Sequence, residues 1–94
     1  MSVMFVEYKV DPEKRDQYLQ WIRSMNRKEP RFELLEGSDQ PHLFVEIWRG
    51  ISFDEYVKLK QERLGRFHSA WSAMAEYVSG GADRIHIWHF RSAP

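Results

Sequence analysis

The alternation of apolar and polar positions predicts four strands. Residues 3–10, 31–36, 42–50 and 84–91 are rich in β-branched and aromatic side chains and are bounded by turn-forming residues. Gly37-Ser38-Asp39-Gln40-Pro41 separates the two middle segments and is typical of a turn. The pattern therefore predicts an N-terminal strand, a central hairpin and a C-terminal strand.

Apolar residues at helical spacing fill the two intervals between these strands. Asp11-Pro12-Glu13 supplies a capping side chain, a proline at the first helical position and an acidic first turn, so we expect a helix to begin there and to end at Pro30. The S-x-x-E sequence from Ser52 to Glu55 matches the capping box of a second helix. Gly65 predicts a break in that helix, after which residues 67–78 return to helical spacing.

The order of strand, helix, hairpin, helix and strand predicts a ferredoxin-like β-α-β-β-α-β domain of the α+β class. Right-handed crossovers place both helices on one face of a four-stranded antiparallel sheet. A chain of 94 residues has room for one hydrophobic core, so we expect a single domain over 1–94.

The sheet face without helices is predicted to carry large apolar side chains. We expect Phe5, Phe44 and Trp48 there, together with either Trp88 or the Ile85/Ile87 pair. Contiguous patches of this kind are rare on monomers, and each such group contributes about 1.5–3 kcal/mol when buried. The pattern therefore favours a homodimer, a barrel of two sheets with the helices outside. A monomer with a modest apolar patch is the alternative.

Composition and charge narrow the classes of function. The 14 basic residues balance the 14 acidic ones, so we expect neither nucleic acid nor a membrane surface as a partner. The chain has no cysteine, which excludes disulfides and thiolate metal sites and favours a cytoplasmic location. Aromatic residues make up 15% of the chain and require a core, a pocket or an interface.

A local motif adds a family resemblance. Glu46-Ile47-Trp48-Arg49-Gly50 on the third strand, Ser52-Phe53 and Tyr56 at the next helix start, and His68 further along resemble the dimeric α/β-barrel superfamily. Within it, the chain is most similar to the antibiotic-biosynthesis monooxygenase type, which includes heme-degrading monooxygenases. The resemblance implies an oxidoreductase with a pocket between the helices and the sheet of each subunit, acting with no cofactor or with heme.

The resemblance also proposes catalytic residues. In the heme-degrading members an Asn on the first strand, a Trp on the helix and a downstream His carry the function. Tyr8 and Tyr56 stand at the first two positions here, and only His68 is retained. His68 could act as a general base or an axial heme ligand, or it could be a structural helix histidine. Tyr8 could bind a ligand oxygen, or it could be a core tyrosine with its hydroxyl paired to backbone.

An aromatic substrate would need an apolar pocket. The candidate substrate-binding residues are aromatic and lie on the predicted helices: Trp21, Tyr56, Phe67 and Trp71. The same residue types also build cores, so the sequence leaves both interpretations open. The predicted function is a small monooxygenase-like enzyme for an aromatic or polycyclic substrate. The alternative is a non-catalytic dimer that binds a small ligand or regulates a partner.

Two further sets of polar residues are candidates for chemistry. Glu46 could form a carboxylate pair with Glu7, or an ion pair with an arginine such as Arg49 or Arg91. His86 and His89 are three residues apart on a strand and therefore point to opposite faces, so we predict no metal site there.

Overall fold

The computed structural model of the chain describes residues 1–66 and 69–94. Within these residues, four strands and two α-helices alternate with short 3-10 segments. In chain order the elements are β1 (Ser2–Lys9), a 3-10 turn (Pro12–Lys14), α1 (Arg15–Lys28), β2 (Phe32–Glu36), β3 (Leu43–Arg49), α2 (Phe53–Arg63), 3-10 segments at Ala70–Glu76 and Gly81–Arg84, and β4 (His86–Arg91). None of the helices in the described residues is long and apolar enough to cross a membrane.

The strands form one antiparallel sheet in the order β2-β3-β1-β4. This order and the helical crossovers confirm the predicted ferredoxin-like α+β fold. In the core, alternate side chains of β1 pack against the buried side of α1. These residues are Met4, Val6 and Tyr8 on the strand and Tyr18, Ile22 and Met25 on the helix.

Both helix starts follow the predicted capping chemistry. The Asp11 carboxylate accepts a hydrogen bond from the Glu13 amide at 3.1 Å, and Pro12 begins the 3-10 turn that leads into α1. At α2 the Ser52 hydroxyl accepts from the Glu55 amide at 3.1 Å, and the reciprocal bond completes a capping box.

The predicted content of the open sheet face was partly wrong. Phe44 pairs with Tyr8 in the β1–β3 register and Trp48 pairs with Met4, so both lie on the helix-covered face and are buried. Ile85 and Ile87 are buried as well, whereas Trp88 is 44% exposed. The residues that do lie on the open face alternate with the buried set: Val3, Phe5, Leu35, Val45, Ile47, Trp88 and Phe90.

The segment after α2 also differs from the prediction. The helix ends at Arg63, and Gly65 adopts a φ of +77°, as expected for a helix break. A helical continuation is predicted for residues 67–78, of which 67 and 68 lie outside the described residues; the described part is instead a 3-10 segment, Ala70–Glu76, that begins at the Ser69 cap. Val78 lies beyond it and forms an isolated β-bridge with Val10.

Candidate functional site

A buried ion pair lies between the helices and the sheet. Glu46 on β3 and Arg63 at the end of α2 both have fully buried side chains. The guanidinium bonds the carboxylate in a bidentate manner, with Arg63 Nη1 2.8 Å from Glu46 Oε1 and Nη2 bonded to Oε2. Two charges persist in such a place only when paired and hydrogen-bonded, so this pair fixes α2 against the sheet.

Two tyrosine hydroxyls extend the buried pair toward α1. Tyr8 Oη lies 2.5 Å from Glu46 Oε2 and 2.6 Å from the hydroxyl of Tyr18. A carboxylate bound to Arg63 is an acceptor, so Tyr8 donates to Glu46 and Tyr18 donates to Tyr8. Burial and the Glu46 charge raise the pKa of Tyr8 well above its usual value and also raise the pKa of Tyr18. Both phenols therefore stay protonated at neutral pH.

The remaining polar atoms of this cluster also have partners. Trp48 Nε1 donates to Glu46 Oε1 at 2.9 Å, and Met74 Sδ accepts from Arg63 Nε at 3.2 Å. The indole of Trp71 lies against the guanidinium, 4.0 Å from its central carbon to the ring centroid. Among the described residues, no buried side-chain nitrogen or oxygen lacks a hydrogen-bond partner. These side chains, called the Glu46–Arg63 cluster below, are Tyr8, Tyr18, Glu46, Trp48, Arg63, Trp71 and Met74. The cluster is saturated, because each of its buried side-chain nitrogen and oxygen atoms already has a hydrogen-bond partner.

The predicted ion pair of Glu46 with an arginine is confirmed, although with a different arginine, whereas the predicted carboxylate pair with Glu7 is wrong. Val6 is the register partner of Glu46 on β1, so Glu7 points to the opposite face and cannot form a carboxylate pair with it. The arginine is Arg63 from α2 rather than Arg49 or Arg91. Tyr8 is a core residue, but its hydroxyl pairs with side chains rather than with backbone.

Of the predicted substrate-binding residues, Trp21 and Trp71 lie together. Their rings meet edge to face with centroids 5.7 Å apart, and Tyr77 packs against Trp21 at 5.6 Å. Trp71 is buried, while Trp21 and Tyr77 are partly exposed. These three rings, called the aromatic wall below, connect to Tyr8 through Tyr18, which is 6.4 Å from Trp21.

Tyr56 lies in another place. Its ring stacks on His89 of β4 at 5.2 Å, and its hydroxyl is 3.3 Å from Lys60 Nζ. Phe67 and His68, a predicted substrate contact and the predicted catalytic histidine, lie outside the described residues. The functional roles of all these residues therefore stay predictions.

Four surface cavities formed by the described residues lie away from the Glu46–Arg63 cluster or touch only its edge. One of about 420 Å³ reaches Tyr8 and is otherwise lined by Lys9, Arg84 and other residues at the β1 end. Another, of about 470 Å³, lies on the open sheet face between Phe5 and Trp88. Among the described residues, no three His, Asp or Glu side chains are grouped so as to hold a metal ion.

Sequence reasoning missed Arg63, Tyr18 and Met74. An arginine near the end of an amphipathic helix is usually a solvated charge, so its own position gave no signal. The signal lay in β3, where Glu46 stands between Phe44 and Trp48 on the same strand face. A carboxylate in an apolar row requires a buried cation, which could have prompted a search of the helices.

Comparison with known proteins shows that the structure of this chain is similar to solved structures. No family model matches the chain, and no curated protein matches it. The crystal structure of an antibiotic biosynthesis monooxygenase superposes with a TM-score of 0.70 at 13% identity, covering 100% of both chains. The chain therefore shares the fold of that protein.

A second solved structure shares this fold. A conserved protein from Methanosarcina mazei Go1 superposes with a TM-score of 0.67 at 13% identity, covering 99% of this chain and 94% of that one. These likenesses confirm, at the level of fold, the resemblance carried by the strand and helix order. A fold hosts many activities, so the activity has to be argued from the residues.

Proposed function

We propose that this chain is a monooxygenase-like enzyme that uses no bound cofactor and acts on an aromatic compound that stacks on the exposed side of the aromatic wall. The observation that carries the proposal is the full-length likeness to an antibiotic biosynthesis monooxygenase. The aromatic wall supports it locally, because partly exposed Trp21 and Tyr77 offer faces on which a planar substrate can stack.

The chemistry assigns different tasks to His68 and Tyr8. His68 takes a proton from an activated CH2 group of the substrate, and the carbanion reacts with O2. One oxygen atom becomes the carbonyl of the product, and the other leaves as water with the two substrate hydrogens. Tyr8 stays protonated, and its hydrogen bond to Glu46 holds that carboxylate and the groups bonded to it in place.

Oxygen uptake tests this proposal. The purified protein is mixed with aromatic substrates that carry an activated CH2 group, such as anthrones, and O2 consumption is recorded. We expect consumption with at least one of them and a loss of about 100-fold or more in His68→Gln, the usual contribution of a general base. His42→Asn is the matched control, because Asn tolerates the positive φ of 72° at that position. No uptake above the protein-free rate, or equal rates in His68→Gln, would overturn the proposal.

A non-catalytic ligand-binding protein is the second candidate, and the saturated cluster favours it. Both oxygens of the Glu46 carboxylate accept hydrogen bonds, and the donors are Tyr8, Trp48 and Arg63. This carboxylate is therefore not available to act as a base. This candidate predicts that an aromatic ligand raises the melting temperature without any product being formed. Catalytic turnover of the stabilising ligand would reject it.

Heme is the cofactor that the resemblance adds. The described side chains between the helices and the sheet do not fit it, because Tyr8, Trp48 and Trp71 are packed there with at most 8% exposure. The proposed reaction therefore uses no heme. The test is a titration of the protein with heme, in which a Soret shift lost in His68→Ala would restore the heme-linked alternative.

We also propose that the protein works as a homodimer joined through its open sheet faces. Trp88 and Phe90 are 44% and 52% exposed there, and Phe5 lies beside them. Covering such groups contributes about 1.5–3 kcal/mol each, and a second copy offers a matching apolar surface.

A further inference from the structure

A cavity of about 380 Å³ lies where α2 begins beside the end of β4. Its lining includes Phe53, His89 and Arg91. His89 is the register partner of Met4, four residues before Tyr8 on β1, so the cavity lies toward the other end of the sheet from Tyr8. The proposed substrate site uses none of these three residues.

The histidine in this cavity has a fixed orientation. His89 Nε2 lies 2.7 Å from the carbonyl oxygen of Ile51, which also accepts from Ser2 Oγ at 2.6 Å. A carbonyl can only accept, so Nε2 carries a proton and Nδ1 is the nitrogen left to meet a ligand. The ring is also held by stacking on Tyr56, with 25° between the planes.

The other two lining residues are exposed and of different chemistry. Phe53 is 62% exposed although it is aromatic, and its ring meets His89 edge to face at 5.9 Å. Arg91 takes part in none of the ion pairs formed within 1–66 and 69–94. A free guanidinium favours a carboxylate, which it can bind through two parallel hydrogen bonds. An exposed phenyl ring favours an aromatic body.

We propose that Phe53, His89 and Arg91 bind a small aromatic carboxylic acid. Arg91 pairs with the carboxylate, Phe53 packs against the aromatic ring, and His89 presents Nδ1 at the wall between them. The volume is within the range of small-molecule sites and suits a ligand with one ring. This site is separate from the proposed oxygenation chemistry, so either proposal can fail while the other stands.

Benzoate is the probe, titrated into 15N-labelled protein while amide and histidine ring signals are recorded. We expect saturable shifts centred on Phe53, His89 and Arg91. Arg91→Gln should weaken benzoate binding about tenfold or more, the effect of losing a hydrogen-bonded charge worth about 1.5–3 kcal/mol. Arg84→Gln, which changes an exposed arginine outside this cavity, should leave binding unchanged.

Two further probes separate the ring from the charge. Cyclohexanecarboxylate keeps the charge and benzyl alcohol keeps the ring, and we expect each to bind several-fold more weakly than benzoate. Phe53→Ser should remove the preference for benzoate over cyclohexanecarboxylate while the protein stays folded, since the ring is exposed. Absence of benzoate-induced shifts at these residues up to millimolar concentration, or equal binding by Arg91→Gln, would overturn the site.

Discussion

The two faces of the sheet are both rich in aromatic residues, yet they are completed in different ways. On the helix-covered face, Glu46 and Arg63 are fully buried and every described polar group around them is paired. On the open face, Glu33 and Arg49 form a 3.2 Å ion pair with both side chains more than half exposed, and Trp88 and Phe90 face outward. One face is complete within a single chain, and the other leaves large apolar side chains exposed.

The largest predicted difference between the faces concerns their ion pairs. Arg63→Gln leaves the Glu46 carboxylate buried without its cation and should lower the free energy of unfolding by about 3–5 kcal/mol. Arg49→Gln breaks the exposed pair with Glu33 and should cost less than about 1 kcal/mol. Urea unfolding of both variants measures the two values. Similar losses in the two variants would show that the faces do not differ in this way.

A smaller effect is expected from removing one buried hydroxyl. Tyr8→Phe deprives Glu46 of a donor and Tyr18 of its acceptor, so we expect a loss of about 1.5–3 kcal/mol in the free energy of unfolding. Tyr56→Phe is the matched control, because its hydroxyl has only a 3.3 Å contact with Lys60. Urea unfolding should show little change in the control. An equal loss in both variants would contradict the claim that the buried hydrogen bonds of the Tyr8 hydroxyl stabilise the fold.

The ionisation of tyrosine has the smallest effect on stability at neutral pH. In alkali its effect on stability becomes clear. Burial raises the folded pKa of Tyr8 and Tyr18 above the unfolded value of about 10. Their contribution to stability is therefore complete below pH of about 10 and declines as pH rises above it. Phenolate absorbance should gain the signal of these two tyrosines only as circular dichroism reports unfolding. Tyr18→Phe should remove part of that coincident step, and an unchanged step would contradict the assignment.

Local features of the fold could be predicted from the sequence, whereas pairings between distant segments could not. The caps at Asp11 and Ser52 depend on residues two or three positions away, and both are confirmed. The face occupied by Phe44 and Trp48 could not be deduced, because both sides of β3 are apolar and only the register with β1 separates them.

The same limit applies to the candidate site. Glu46 drew attention as a carboxylate on an apolar strand, but Arg63 is 17 residues away and reaches it only when α2 packs on the sheet. Tyr18 fitted the apolar stripe of α1 and gave no sign of the hydroxyl contact with Tyr8. Sequence patterns identify which groups need a partner, and tertiary packing decides which partner they receive.

The central claim is that the open face requires a second copy, and molar mass tests it most directly. Sedimentation equilibrium at micromolar concentration should give twice the 11.3 kDa of one chain. Trp88→Glu should give the mass of a single folded chain, because it places a charge on the apolar surface proposed to be the interface. Lys58→Glu, an exposed change on α2, should keep the doubled mass. A folded wild-type protein with the mass of one chain would contradict the account.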